Sequence, residues 1–252
     1  MLALRDYLVA PYLVLATRGG LVKKSRLTDF DSPRSGGIIA INLREDDEVI
    51  AARLMSPDQD LVLVSKKAQA LRFHATDEAL RPMGRATSGV IGMRFANGDE
   101  LLGMYVVREG ADVLVATAGG YAKRTPVGEY PVKGRGTMGV VTARIVDQRG
   151  ELVGALMVLP EDEVFAITST GGVIRTSAAE VKQSGRQTMG VRLMNLAPGD
   201  SVVAVARNAE AGPETVGDAE DQDRSADEPA AEGMASADPG AADTAPGGPQ
   251  DG

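Results

Sequence analysis

At 252 residues and 43% hydrophobic content, the chain is long enough to pack one large domain or two small ones. It has no cysteine and one histidine, His74, which excludes disulfides, thiolate chemistry and cysteine-ligated zinc and leaves little for any other transition-metal site. The formal net charge of −8 is unevenly spread: residues 209–252 carry twelve acids against one base, Arg224, so residues 1–208 hold 26 basic against 23 acidic side chains and keep a polyanionic partner open.

The opening Met1-Leu-Ala-Leu-Arg-Asp-Tyr7 places charge too early for a signal peptide, and no run reaches the roughly 18 apolar residues of a membrane helix. A cytoplasmic, membrane-free protein is expected. From about residue 10 the chain repeats itself four times, over about 10–55, 56–107, 108–158 and 159–208.

The first repeat opens with the strand-like run Tyr12-Leu-Val-Leu-Ala-Thr17. A Gly19-Gly20 turn follows, then a basic run, Leu21-Val-Lys-Lys24, then Arg34-Ser-Gly-Gly-Ile38, and Glu48-Val-Ile closes the unit. The second runs Leu61-Val-Leu-Val-Ser65, then Ala70-Leu-Arg72, Gly84-Arg85 to Gly89-Val90, and Glu100-Leu-Leu. Lys67-Ala68 stands where the other repeats have two glycines, so a different turn is expected there. The third runs Val113-Leu-Val-Ala-Thr117, Gly119-Gly120, Tyr121-Ala-Lys-Arg124, Gly134-Arg135 to Gly139-Val140, and Glu151-Leu-Val. The fourth runs Val164 to Ser169, Gly171-Gly172, Val173-Ile-Arg175, Gly185-Arg186 to Gly190-Val191, and Ser201-Val-Val.

Strand, two-glycine turn, strand is a hairpin signature, because glycine supplies the positive φ that tight turns require. The hydroxyl residues that end the first runs lie 48, 52 and 52 apart, and the loop arginines 34, 85, 135 and 186 lie 51, 50 and 51 apart. Short strands at a fixed period without long helical stretches predict an all-β, propeller-like radial array of about four to five four-stranded blades. The predicted domain spans 1–208. Beyond it, residues 209–252 are rich in Ala, Gly, Pro, Asp and Glu and predict a disordered acidic tail.

A Gly-Arg-x-x-x-Gly loop offers a cation beside backbone able to approach a phosphate closely. Repeated at one spacing and joined to the basic hairpins, it makes a charged track suited to a long polyanion. The expected contacts are Lys23, Lys24, Arg34, Arg72, Arg85, Lys123, Arg124, Lys133, Arg135, Arg175, Arg186 and Arg192. The competing reading is structural: the glycines make turns, each arginine bridges to the acid opening a closing strand, and the paired bases are a solvated face. No base-reading set of Asn, Gln or Arg stands out, nor any catalytic constellation or P-loop.

The stretches Tyr12 to Lys24, Ala116 to Thr125, Lys133 to Gly139 and Gly185 to Leu193 resemble the C-terminal β-pinwheel of bacterial DNA gyrase A subunits, most of all the actinobacterial forms, over about residues 10–208. The resemblance implies a DNA-wrapping module without sequence specificity, not an enzyme on its own. Its implied partners are double-stranded DNA, the B subunit of gyrase and the remainder of the A subunit, in an A2B2 type II topoisomerase that supercoils DNA negatively. No cofactor is expected in this chain, since ATP and magnesium would belong to the rest of that assembly. The family's Gln-Arg-Gly-Gly-Lys-Gly box is degenerate: Gly134-Arg135-Gly136-Thr137-Met138-Gly139 keeps the arginine and two glycines but has Thr137 and Met138 where the box has glycine and lysine. The breakage-reunion domain with its catalytic tyrosine is absent from these residues, and four repeats stand where the family usually has six blades. Two alternatives stay open: the topology-selecting C-terminal domain of topoisomerase IV, and a protein-interaction scaffold without a DNA role. The tail, with a charge of about −11, is expected to compete with DNA for the basic surface.

Overall fold

The computed structural model describes residues 4, 6–33, 36–96 and 98–208, all within one unit, Met1–Gly217. The predicted acidic tail lies outside the described residues, as does Arg34.

Fifteen strands are present among the described residues. Repeat 1 supplies β1 (Tyr12–Thr17), β2 (Leu21–Arg26) and β3 (Val49–Met55). Repeat 2 supplies β4 (Asp60–Ser65), β5 (Gln69–His74), β6 (Val90–Ile91) and β7 (Leu101–Val106). Repeat 3 supplies β8 (Asp112–Thr117), β9 (Tyr121–Pro126), β10 (Val140–Val141) and β11 (Leu152–Val158). Repeat 4 supplies β12 (Glu163–Thr168), β13 (Val173–Ser177), β14 (Val191–Arg192) and β15 (Val202–Arg207). The only helices among the described residues are four 3-10 turns of three or four residues.

These strands form four antiparallel sheets, ordered β3-β1-β2-β6, β10-β5-β4-β7, β11-β8-β9-β14 and β13-β12-β15. The propeller-like, all-β class predicted from the repeats is the observed one. Each of the first three sheets is completed by a two-residue strand donated from the next repeat, so β6, β10 and β14 staple neighbouring units together. The fourth sheet has three strands among the described residues, not the four expected, because no donated strand pairs with β13.

The hairpins follow from local chemistry. Thr17, Ser65, Thr117 and Thr168 end the first strand of each unit, and each hydroxyl oxygen accepts the amide four residues on, at 3.2, 3.1, 3.4 and 3.0 Å. That is the reason for the recurring hydroxyl. The fourth unit is therefore in register at Thr168, one residue before the Ser169 read from the sequence. The turn residue with positive φ is Gly20, Gly120 or Gly171 in three units, and Ala68 in the second, at φ 62°. The second turn is thus made in the same way as the others, with alanine in the left-handed region at a cost of about 1–2 kcal/mol.

Strands β4 and β8 are buried along their whole length, each packed on both faces by neighbouring sheets. One apolar cluster joins sheet 1 to sheet 2 through Val14, Val22, Leu61 and Leu63. A second joins sheet 2 to sheet 3 through Val62, Val64, Val113 and Val115, and a third joins sheet 3 to sheet 4 through Leu114, Ala116, Val158 and Val164. Burial of this kind, at roughly 25 cal/mol per Å² of apolar surface, is what holds the series together.

Candidate nucleic-acid interface

The Gly-Arg loops sit at the junctions between sheets. In each, the second glycine takes positive φ, 83° at Gly89, 78° at Gly139 and 76° at Gly190, and lies against the carbonyl of the acceptor strand. A Cβ would stand 2.6 Å from the Val22 oxygen at Gly89 and 2.7 Å from the Ala122 oxygen at Gly190, and closer still to the Ala70 oxygen at Gly139. These glycines serve a backbone-to-backbone approach between repeats, which is the structural reading of the motif and not a cradle for phosphate.

Three of the predicted contacts are corrected by burial. Lys23, Lys24 and Lys123 are 0, 0 and 1% exposed, and cannot meet a polyanion. The Lys23 ammonium donates to the carbonyls of Ala40 and Arg85. Lys123 donates to those of Gly185 and Arg186 at 2.7 and 2.6 Å, so each holds the loop of the next repeat from below. Burial, with the neighbouring Arg85 and Arg186 charges adding to it, pushes both ammonium groups down to about 8. Lys24 donates to the Ala75 carbonyl and pairs with Asp77, both at 2.7 Å, above the Tyr12 ring.

Arg72 and Arg124 are committed in the same way. Each pairs across the hairpin with an acid twelve residues earlier, Asp60 at 2.7 Å and Asp112 at 2.5 Å, and donates to a carbonyl as well, Val127 and Val181 respectively. Arg175 makes the equivalent pair with Glu163 at an exposed position. His74, on the strand that carries Arg72, also contacts Asp60 and is a surface packing residue.

What remains accessible is the row of loops. Arg85, Arg135 and Arg186 are half-buried and Lys133 and Arg192 exposed. Arg135 donates to the carbonyls of Ala79 and Ile91, and Arg186 donates to Val141, the residue equivalent to Ile91. Neither bridges to a closing-strand acid: Glu48 and Glu100 pair with Arg18 and Lys66 instead. Arg135 and Arg186 are therefore held at one repeated position, each lying across the donated strand of the repeat before. In the degenerate box, Gly136 takes φ 77° and its amide donates to the Gly92 carbonyl at 2.7 Å, while the Met138 side chain is exposed. Arg149 stacks 3.8 Å from the Tyr121 ring centroid and donates to Met189 and Gly190, which fixes the last loop.

The sequence reading missed Arg94 and Arg144. They follow Gly89 and Gly139 by five residues, both are exposed, and their amides donate to Thr137 and Thr188 in the neighbouring loops, at 3.1 Å each. Extending the loop repeat by five residues would have found them. Arg81 and Lys182 flank the same loops at equivalent exposed positions. Among the described residues no cluster of metal-ligating side chains is present, and no helix is long and apolar enough to cross a membrane.

A family model described as the DNA gyrase C-terminal domain, beta-propeller, matches the chain four times, over residues 11–54, 59–108, 111–158 and 162–208. The DNA gyrase A subunit of Mycobacterium tuberculosis (strain CDC 1551 / Oshkosh) is 64% identical over 210 residues, 83% of this chain and 25% of that protein. Its Streptomyces coelicolor counterpart is 63% identical over 217 residues, 84% of this chain and 25% of its own length. The chain thus spans about a quarter of these relatives. A solved DNA gyrase A C-terminal domain superposes with a TM-score of 0.72 at 29% identity, covering 81% of this chain and 68% of that one. The C-terminal domain of DNA topoisomerase IV superposes with a TM-score of 0.75 at 24% identity, covering 81% and 64%, a likeness of fold.

Proposed function

The chain belongs to the DNA gyrase C-terminal domain family of β-propellers, and from that premise we propose that it binds and bends duplex DNA along its row of junction loops. It acts within the gyrase A subunit, whose wrapping of DNA supports ATP-dependent negative supercoiling by an A2B2 enzyme with the B subunit. The chain itself supplies contacts and shape, not catalysis. Topoisomerase IV is the less supported reading, because the likeness there is one of fold alone.

The observation that carries this reading is the repetition of Arg85, Arg135 and Arg186 on successive junctions, with Arg94 and Arg144 exposed beside the second and third of these loops. Cations repeated at one spacing, with Arg135 and Arg186 held by backbone carbonyls, suit contact with phosphates and carry no base-reading pattern. Affinity then falls steeply with salt, and specificity follows DNA deformability.

The test is DNA binding by the 252-residue chain across a salt series, together with the linking number of relaxed circles closed by ligase in its presence. Replacing Arg94 and Arg144 by Ala is expected to lower the slope of log affinity against log salt by about 0.9 for each phosphate no longer neutralised, without loss of fold. Binding that is absent, or indifferent to salt, would sink the proposal.

A further inference from the structure

The three junction-loop segments, residues 80–94, 131–144 and 182–194, hold three basic residues each and no acid. They also expose apolar side chains, which a track that met phosphates alone would not need. Ile91 and Val141, on β6 and β10, are 40 and 37% exposed, and Met138 and Met189, at equivalent places in successive loops, are 46 and 39% exposed.

The two methionines are placed by backbone contacts on either side of them. Each follows a threonine, Thr137 or Thr188, whose carbonyl accepts the amide of Arg94 or Arg144 at 3.1 Å. Each precedes a glycine at positive φ seated against the acceptor strand, Gly139 on Ala70 and Gly190 on Ala122. The loop carrying Met138 crosses Ile91: Arg135 donates to the Ile91 carbonyl, and a Cβ on Gly136 would stand 3.8 Å from Ile91 Cγ2. The loop carrying Met189 crosses Val141, whose carbonyl accepts from Arg186. Ile91, Met138, Val141 and Met189 thus stand on the same successive junctions as the arginines. The fold does not require methionine at the loop position. Ser88 fills it in the preceding loop, where Thr87 accepts the Asn42 amide and Gly89 seats on Val22 as their counterparts do.

Apolar side chains bordered by cations, in segments free of acid, fit a ligand whose surface alternates anionic and apolar. Duplex DNA is such a ligand: between its phosphates the deoxyribose rings present C–H faces, and bending toward a protein compresses the inward-facing minor groove and crowds those faces against it. We propose that Met138 and Met189, with Ile91 and Val141 beside them, make apolar contact with the deoxyribose faces of the bent duplex and supply a share of the affinity that salt does not screen. This rests on the reading of the junction loops as the DNA path and divides the work along it. The arginines set how steeply binding falls with salt, and the methionines set the affinity that is left when the phosphate contribution has been screened away.

The experiment measures the affinity of the 252-residue chain for a mixed-sequence DNA duplex over a salt series, for the wild type, for Met138→Gln/Met189→Gln and for Met138→Lys/Met189→Lys. Both positions are exposed, glutamine keeps the length of the side chain while replacing the thioether by an amide, and circular dichroism checks that each variant keeps its β content. The glutamine variant is expected to bind about tenfold more weakly at every salt concentration, with the slope of log affinity against log salt unchanged. The lysine variant is expected to steepen that slope by about 0.9 for each new phosphate contact, and to show the same loss as the glutamine variant when the lines are extrapolated to high salt. A glutamine variant that binds as the wild type does, or whose loss appears as a shallower slope, overturns the proposal while leaving the DNA path in place. A wild type that does not bind the duplex overturns the DNA path itself, and the apolar contact with it.

Discussion

Strands β8 and β12 hold the same place in sheets 3 and 4, yet every residue of β8 is buried while β12 alternates between buried and half-buried. Their sequences are alike in apolar content, so the difference comes from what surrounds them. Among the described residues, sheet 3 has a sheet on either side and a donated strand along β9, whereas sheet 4 packs on sheet 3 alone and no donated strand pairs with β13. A blade of this fold is therefore completed by its neighbours, as expected for a repeat whose units share one continuous core. Substitutions at equivalent positions are accordingly expected to cost more inside the series than at its end.

The sharpest form of this comparison uses two positive-φ glycines. Gly139→Ala adds a methyl that meets the Ala70 backbone within a junction, whereas Gly171→Ala adds one into open space. Both carry the left-handed penalty of about 1–2 kcal/mol, and only Gly139 adds overpacking of about 1–3 kcal/mol. Urea denaturation is expected to place Gly139→Ala about 3 kcal/mol below wild type and Gly171→Ala about 1 kcal/mol below. Equal losses would mean that the junction yields to the methyl and that donated strands do not define the unit.

The cross-strand pairs give a second contrast. Arg124–Asp112 has side chains 15 and 5% exposed, and the same pair in sheet 4, Arg175–Glu163, has 60 and 28%. Among the described residues, removing Arg124 leaves a buried carboxylate with Gln183 as its one side-chain donor, so Arg124→Ala is expected to cost about 2–4 kcal/mol. Arg175→Ala is expected to cost no more than about 1 kcal/mol, and that loss shrinks as salt is added. Thermal unfolding at two salt concentrations checks both halves, and a large, salt-independent loss at Arg175 would break the comparison.

How much of this was legible in the sequence depends on range. The hairpins were legible because hydroxyl, glycine and strand lie within a few residues of one another and act locally. The period of Arg85, Arg135 and Arg186 revealed the array, since equal spacing reports equal placement whatever the placement is. The charged track was only half legible. Lys23 and Arg85 are 62 residues apart, and nothing near Lys23-Lys24 announces that a later loop covers it and supplies carbonyls. A lysine pair on a strand looks solvated until its acceptors are known. Strand donation was hidden for the same reason: Gly-Val at the end of a loop looks like a turn, and only the partner strand makes it part of a sheet. At Ala68 the absence of glycine suggests a different turn, yet a single alanine tolerates the left-handed region at modest cost.

The smallest expected effect concerns the buried lysines, which sharpen the comparison by pH. Lys23 in sheet 1 and Lys123 in sheet 3 lie beneath junction loops, and the equivalent residue in sheet 4 is Ile174, with no loop above it among the described residues. Burial holds both ammonium groups at about 8, against 10.5 for an exposed lysine. Below pH 8 both states are protonated, and these residues make stability neither rise nor fall. Between about 8 and 10.5 the unfolded chain binds more protons than the folded one, so stability rises with pH, by on the order of 1 kcal/mol per lysine. The clean window ends near pH 10. Above it the unfolded chain ionises its tyrosines while burial, pushing Tyr105 up to about 12, keeps that phenol protonated in the fold, and stability falls again. Denaturation midpoints measured from pH 7 to pH 10 are therefore expected to climb in the wild type and to stay flatter in Lys23→Met and Lys123→Met. Those variants lose the donors that hold Arg85 and Gly185 and so start lower, but it is the slope that distinguishes a titrating buried lysine from a packing defect. A slope unchanged in both variants would place the titration elsewhere and remove these lysines as the electrostatic difference between inner and terminal blades.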